Sequence, residues 1–181
     1  MKHQKIEHIG APIRFSRQRG ASLLEGIAYL GVAAIVVLGA ISLLDNAFDN
    51  AQSNRAVEEI TALRTAVRKL YAGQQYPAAA LTADIIAAGA VPGTLRVNGN
   101  AITNAWNGAV TVTGVTANTF TISIGALPVD ACVNVVSGAT GWTRISVNAA
   151  AANDITVFPA TVARATTACN AAANNLVFTA T

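Results

Sequence analysis

At 181 residues, 52% hydrophobic and only 12% charged, the chain is long enough for one domain with a real core plus an appendage, and it is apolar for a soluble protein. Of its net charge of +3, the first twenty residues hold +4 (Lys2, Lys5, Arg14, Arg17 and Arg19 against Glu7), which leaves −1 for everything after them. From Gly73 onward three arginines face three aspartates, which excludes a basic surface able to neutralise a row of phosphates, and with it nucleic-acid binding by that part.

The N-terminal stretch MKHQKIEHIGAPIRFSRQR is polar and basic and ends against Gly20 and Ala21, two small residues that a peptidase accepts easily. An ordinary secretory signal places its cleavage site after the apolar stretch and so discards it. Here the order is inverted, and cutting at Gly20–Ala21 keeps the apolar segment. From Gly26 to Leu44 there is no charge, and nineteen residues rise roughly 28 Å as a helix, about the hydrocarbon thickness of a bilayer. The basic flank stays cytoplasmic by the positive-inside rule, which sends the C-terminal part outward.

A basic leader ending in Gly20, then Ala21, Ser22, Leu23, Leu24 and Glu25, then the long apolar run, resembles the type IV prepilins. The twenty-residue leader and a first mature residue other than phenylalanine resemble the type IVb branch, whose members build thin conjugative and enteric pili. The resemblance implies cleavage between Gly20 and Ala21 by a prepilin peptidase and methylation of the new Ala21 amino group. It also implies the α+β pilin fold: a long N-terminal helix, with a hydrophobic half (21–44) and an amphipathic half (45–71), packed on the antiparallel sheet of a head domain (72–181). Such subunits start in the inner membrane with the leader cytoplasmic and the head periplasmic. An assembly platform and an ATPase there polymerise them into a helical filament on the cell surface, serving adhesion or conjugation.

Glu25 is the one carboxylate at the start of this otherwise uncharged run. A charge at the edge of a span costs a few kcal/mol, and so calls for a function and a partner. The new amino group of Ala21, with a reference pKa of ~7.7–8.0, would be largely protonated near neutrality. Two pairings are open: within one helix, where Ala21 and Glu25 are four apart, or between subunits, which the resemblance favours. Contact between unlike patches propagates into an open helical filament.

Beyond the span, Val57, Ile60, Leu63, Val67 and Leu70 recur at spacings of three and four, with Arg64, Arg68 and Lys69 expected off that stripe. There is no proline between Pro12 and Pro77, so residues 21–71 are expected to form one helix stopping before Gly73. Glu58 and Glu59, adjacent on it, are splayed apart and expected on a solvated face. ALTADIIAAG reads as a short helix ending at Gly89, and Val97 to Asn100 as a turn. AVTVTG and TFTISIG read as a hairpin joined across Gly114–Asn118. PVDACVNVVSG reads as a helix with Val129, Cys132, Val133 and Val136 on one face. WTRISV and ITVF read as strands, PATVARATTACNAAA as a short helix, and NNLVFTA as a last strand.

Cys132 and Cys169 lie in a part expected to face an oxidising compartment, so a disulfide is the leading reading. The resemblance implies that the region it bounds forms the variable outer surface. Catalysis fails by subtraction. His3 and His8 lie in the leader, Asp84, Asp130 and Asp154 are isolated, and two mutually bonded cysteines offer no thiol. No enzyme activity, cofactor or metal is expected, and Trp106 and Trp142 read as core or seam aromatics. The leading function is a major pilin. A minor pilin or type II secretion pseudopilin is the alternative, followed by a binding module on an uncleaved anchor.

Overall fold

The computed structural model describes residues 23–181, the side chains of Asp45 and Asn46 excepted. The leader, the Gly20–Ala21 bond and the Ala21 amino group lie outside the described residues. The chain divides into two units, one ending at Leu43 and one running from Leu44 to Thr181.

Helix α1 (Leu23–Leu70) supplies all of the first unit's described residues and begins the second. Its sequence lacks proline, and its Ala, Leu and charged residues favour helix. The polar side chains that compete with helical hydrogen bonds are satisfied locally: Ser53 Oγ donates to Asp49 O at 2.9 Å, and Thr61 and Thr65 donate to Val57 O and Thr61 O. Up to Leu43 every described residue is exposed except the half-buried Gly26.

In the second unit α1 changes character. Ala56, Ile60, Leu63 and Val67 are buried, with Val57 and Leu70 packed half-buried beside them. The expected stripe is present, and it lies on a six-stranded, wholly antiparallel sheet of order β1-β2-β3-β4-β6-β5. Helix α2 (Thr82–Ala87) comes first, followed by the short edge hairpin β1 (Arg96–Asn98) and β2 (Ala101–Thr103). Strands β3 (Ala109–Thr116) and β4 (Thr119–Leu127) form the long hairpin. Helix α3 (Val129–Gly138), strand β5 (Arg144–Val147), a 3₁₀ turn at Ala151–Asn153, helix α4 (Val162–Ala168) and strand β6 (Asn174–Ala180) complete the chain.

Strict alternation buries one face of β3 and β4, with Val110, Val112, Phe120, Ile122 and Ile124 inside and the threonines between the valines of β3 exposed. The last strand is inserted between β4 and β5, so that Phe178 sits opposite Ile122 on one side and Ile145 on the other.

Three expectations need correction. Thr156 to Phe158 are not a strand: Ile155 alone exchanges two hydrogen bonds with Ile145 (2.8 and 2.9 Å). The backbone then turns out towards Pro159, which has no N–H to pair, and Val157 is left exposed. On α3 the buried residues are Ala131, Cys132, Val135 and Val136, while Val129 is exposed. The face is rotated by about a residue because Ala131, small enough for close approach, packs inward. Finally, Glu59 is buried rather than solvated, at 8% exposure.

Cys132 and Cys169 are joined, with Cα atoms 5.8 Å apart. The bond ties α3 to the end of α4, and neither helix is long enough to be stable alone. A sequence separation of 37 corresponds to roughly 3–4 kcal/mol in the chain-entropy treatment. Cys132→Ser is therefore expected to lower unfolding stability by about that amount in denaturant titration. A loss under about 1 kcal/mol would mean that packing alone holds this region.

Candidate functional site

The exposed run of α1 is the first element of the site. Leu23 is 85% and Ile35 73% exposed, and Leu24, Ile27, Leu30, Leu38 and Leu43 are likewise exposed. By length and composition this helix can cross a membrane. A surface this apolar is not stable in water, since each leucine-sized side chain left wet forgoes ~1.5–3 kcal/mol. Glu25 lies in the first turn of the helix, where a carboxylate is favoured by the helix dipole. The Ala21 amino group, its expected counterpart, lies outside the described residues.

The second element is the way the rest of α1 grips the disulfide-bounded region. Arg64 and Arg68, expected off the apolar stripe, turn out to be clamps. Arg64 Nη1 donates to Thr140 O at 3.2 Å and to Gly141 O at 2.5 Å, and its guanidinium lies 4.7 Å from the centre of the Trp142 ring. Trp142 in turn packs on Phe178 at 5.0 Å. Arg68 donates from Nε to Thr181 O at 2.8 Å. A planar guanidinium suits both stacking and paired donation, which lysine cannot reproduce. On the far side of the region, Arg164 Nη2 donates to Ala152 O and Asp154 O at 2.6 and 2.9 Å, and Arg144 pairs with Asp154.

A buried asparagine completes the support. Asn174 donates to Leu127 O at 3.3 Å and Ala171 O at 2.6 Å, and accepts from Asn148 at 2.9 Å and from the Ala171 N–H at 3.2 Å. Four hydrogen bonds to three residues pin the start of β6 to the end of β4. No sequence signal separates Asn174 from the other asparagines that crowd this stretch.

The acidic residues are dispersed. Asp84 accepts from the Tyr71 hydroxyl at 3.1 Å, Asp130 sits in the first turn of α3, and Asp154 is held by Arg144. Among the described residues no grouping of His, Cys, Asp or Glu could hold a metal ion. Trp142 is buried and Trp106 half-buried against the core, so both are packing aromatics.

Comparison with known proteins places these features. The family model described as PilS N terminal matches residues 50–181. The major structural subunit of bundle-forming pilus from Escherichia coli O111:H- is 28% identical over 150 residues, covering 78% of this chain and 76% of that protein. The subunit of the same description from Escherichia coli O127:H6 (strain E2348/69 / EPEC) matches to the same extent. The crystal structure of type IV b pilin from Salmonella typhi superimposes with a TM-score of 0.54 at 27% identity, covering 67% of this chain and 95% of that one. TcpA, a type IV pilin from Vibrio cholerae El Tor biotype, gives a TM-score of 0.55 at 15% identity, over 72% and 99% of the two chains, and so shares the fold.

Glu59 offers a test of the head's electrostatics. Burial raises its carboxyl above the usual range, against the opposing pull of the Thr94 hydroxyl hydrogen bond and the Arg55 charge, while Glu58 pushes it slightly further up. A folded-state pKa above the unfolded value means that the folded head binds this proton more tightly. The contribution to stability is then fully present below the ordinary glutamate pKa of ~4.3 and is lost as pH rises through the raised value. Glu59→Gln, which keeps shape and neutrality, should therefore gain on wild type as pH is raised from about 4 towards neutral in thermal unfolding. A stability difference independent of pH would show that Glu59 is not held in a desolvating site.

Proposed function

The chain belongs to the PilS N-terminal family, and from that membership, together with the bare apolar surface of α1, we propose that it is made as a membrane-anchored precursor and polymerised through that surface. It is a type IVb pilin, a structural subunit of a cell-surface pilus and not an enzyme. The observation that carries the polymerisation reading is the contrast within one helix. Residues 23–43 bury almost nothing, whereas the same helix from Ala56 to Val67 carries a fully buried stripe. Lipid covers the bare surface before assembly, and neighbouring copies cover it afterwards.

The finer steps rest on the sequence and on the family. A prepilin peptidase cuts between Gly20 and Ala21, and the new amino group is methylated with its charge retained. An inner-membrane platform and ATPase add each subunit. Glu25, fixed in the first helical turn, is the docking charge for the Ala21 amino group of a neighbour, a charge-assisted contact of roughly 1.5–3 kcal/mol repeated at every addition. The disulfide-bounded segment 132–169 supplies outer filament surface, with adhesion or conjugation as its use.

Glu25→Leu tests this reading. The variant makes the apolar run more comfortable in lipid, so processed subunits should be found in the membrane with an N-terminus at Ala21 by mass. Sheared surface filaments should fall sharply relative to membrane-bound subunit. A wild-type ratio would assign Glu25 to pairing within its own helix instead.

A further inference from the structure

The chain contains two Asn-Gly pairs, Asn98–Gly99 and Asn107–Gly108, and the fold treats them in opposite ways. Asn98 ends β1, a three-residue strand at the sheet edge with every residue exposed. Its pairing with Ala101 leaves Gly99 and Asn100 as a two-residue hairpin loop, and Gly99, at φ +57°, takes the first central position where a left-handed conformation is required. A side chain at Gly99 would meet nothing within 4 Å, and the Gly99 N–H has no hydrogen-bond acceptor among the described residues.

Asn107–Gly108 is locked. The Gly108 N–H donates to Asn104 Oδ1 at 2.7 Å in a buried setting. A Cβ at Gly108 would lie 1.8 Å from Gly125 O, so the two backbones are in direct contact. Asn104 also donates to Gly125 O at 2.8 Å and accepts from the Trp106 N–H at 3.0 Å. The Asn107 side chain itself accepts from Arg96 Nη1 at 3.2 Å.

We propose that Asn98–Gly99 is a site of spontaneous deamidation in the folded head, and that Asn107–Gly108 is protected by the same fold. The Gly99 nitrogen, losing its proton to solvent base, attacks the side-chain carbonyl carbon of Asn98. A carbon–nitrogen bond forms and the amide nitrogen leaves as ammonia, giving a five-membered imide. Water then opens the imide at either carbonyl, leaving aspartate or isoaspartate. The sum is amide plus water to carboxylate plus ammonium, with no redox change and no reactant beyond solvent. At Asn98 the nucleophile is unencumbered and an edge strand can open locally. At Asn107 the nucleophilic nitrogen is already donating, and neither backbone has room to move.

The product alters the surface. Residues 96 and 98 share a face of β1, because side chains alternate along a strand. A carboxylate at 98 therefore sits beside Arg96 and competes with Asn107 for it. From Gly73 onward the head carries only three arginines and three aspartates, so one added negative charge per copy is a large relative change. In a filament the change is repeated in every subunit and accumulates with age.

The experiment incubates the full chain in detergent, folded, in mildly alkaline buffer beside the same chain unfolded in denaturant, and follows both sites by peptide mass mapping with isoaspartate detection. In the unfolded chain the two sites should convert at similar rates. In the folded chain Asn98 should run roughly tenfold or more ahead of Asn107, and Asn98→Ser should abolish the early acidic shift in isoelectric focusing. Asn98 remaining an amide while the unfolded control converts, or Asn107 keeping pace with it in the folded chain, would overturn the proposal.

Discussion

An apolar helical surface that a single chain has no means of burying constrains everything else in this molecule. From Leu23 to Leu43 the helix exposes leucine, isoleucine and valine on all sides, so it is tolerated only where lipid or other copies of the same surface replace water. Glycines at 26, 31 and 39, with open space around each, allow close helix approach in such a packing. Apolar contact by itself is non-directional, and the proposed docking role of Glu25 would supply the order that such contact lacks.

The second unit answers the opposite requirement, a folded head built with few charges. Its arginines act as structural ties more than as a solvated coat. Arg64 holds the 140–142 turn and Trp142, Arg68 reaches Thr181, Arg144 holds Asp154, and Arg164 holds the backbone at 152 and 154. Hydrogen bonds from a charged donor contribute roughly 1.5–3 kcal/mol when well formed. With the disulfide closing the far side, the loop-rich stretch between α3 and β6 is fixed at both margins. What remains outward is mostly threonine, alanine and asparagine, with Val157 and Val162 among them, a nearly neutral surface suited to lying among copies of itself without like-charge repulsion.

Much of this is legible in sequence because single signals act alone. The charge-free run from Gly26 to Leu44, the alternation of β3 and β4, and the pair of cysteines each point one way. The end of the chain reads less well for physical reasons. In ITVF, β-forming residues meet a proline and a sheet edge already paired on its other side, and tertiary context overrides propensity. On α3 the expected face gave weight to large side chains and none to Ala131, although a small residue is what permits close packing there. Arg64, Arg68 and Glu59 were unreadable as ties or buried groups. Their partners, Thr140, Gly141, Thr181 and Thr94, are far away in sequence, and no periodicity encodes a contact across such distances. Gly20, Ala21 and Glu25, on which the proposed processing and docking rest, read from the sequence as a pattern.

The central claim is that residues 23–43 are covered by neighbouring copies in the assembled state, and single-thiol labelling tests it directly. With Cys132 and Cys169 bonded, Ile35→Cys introduces the only thiol, and Asn118→Cys at the exposed β3–β4 turn serves as the accessible reference. Intact sheared filaments are treated with a membrane-impermeant maleimide, then dissociated and treated again. The account predicts that the thiol at 118 labels at once and the thiol at 35 only after dissociation. Equal labelling of both in intact filaments would contradict it.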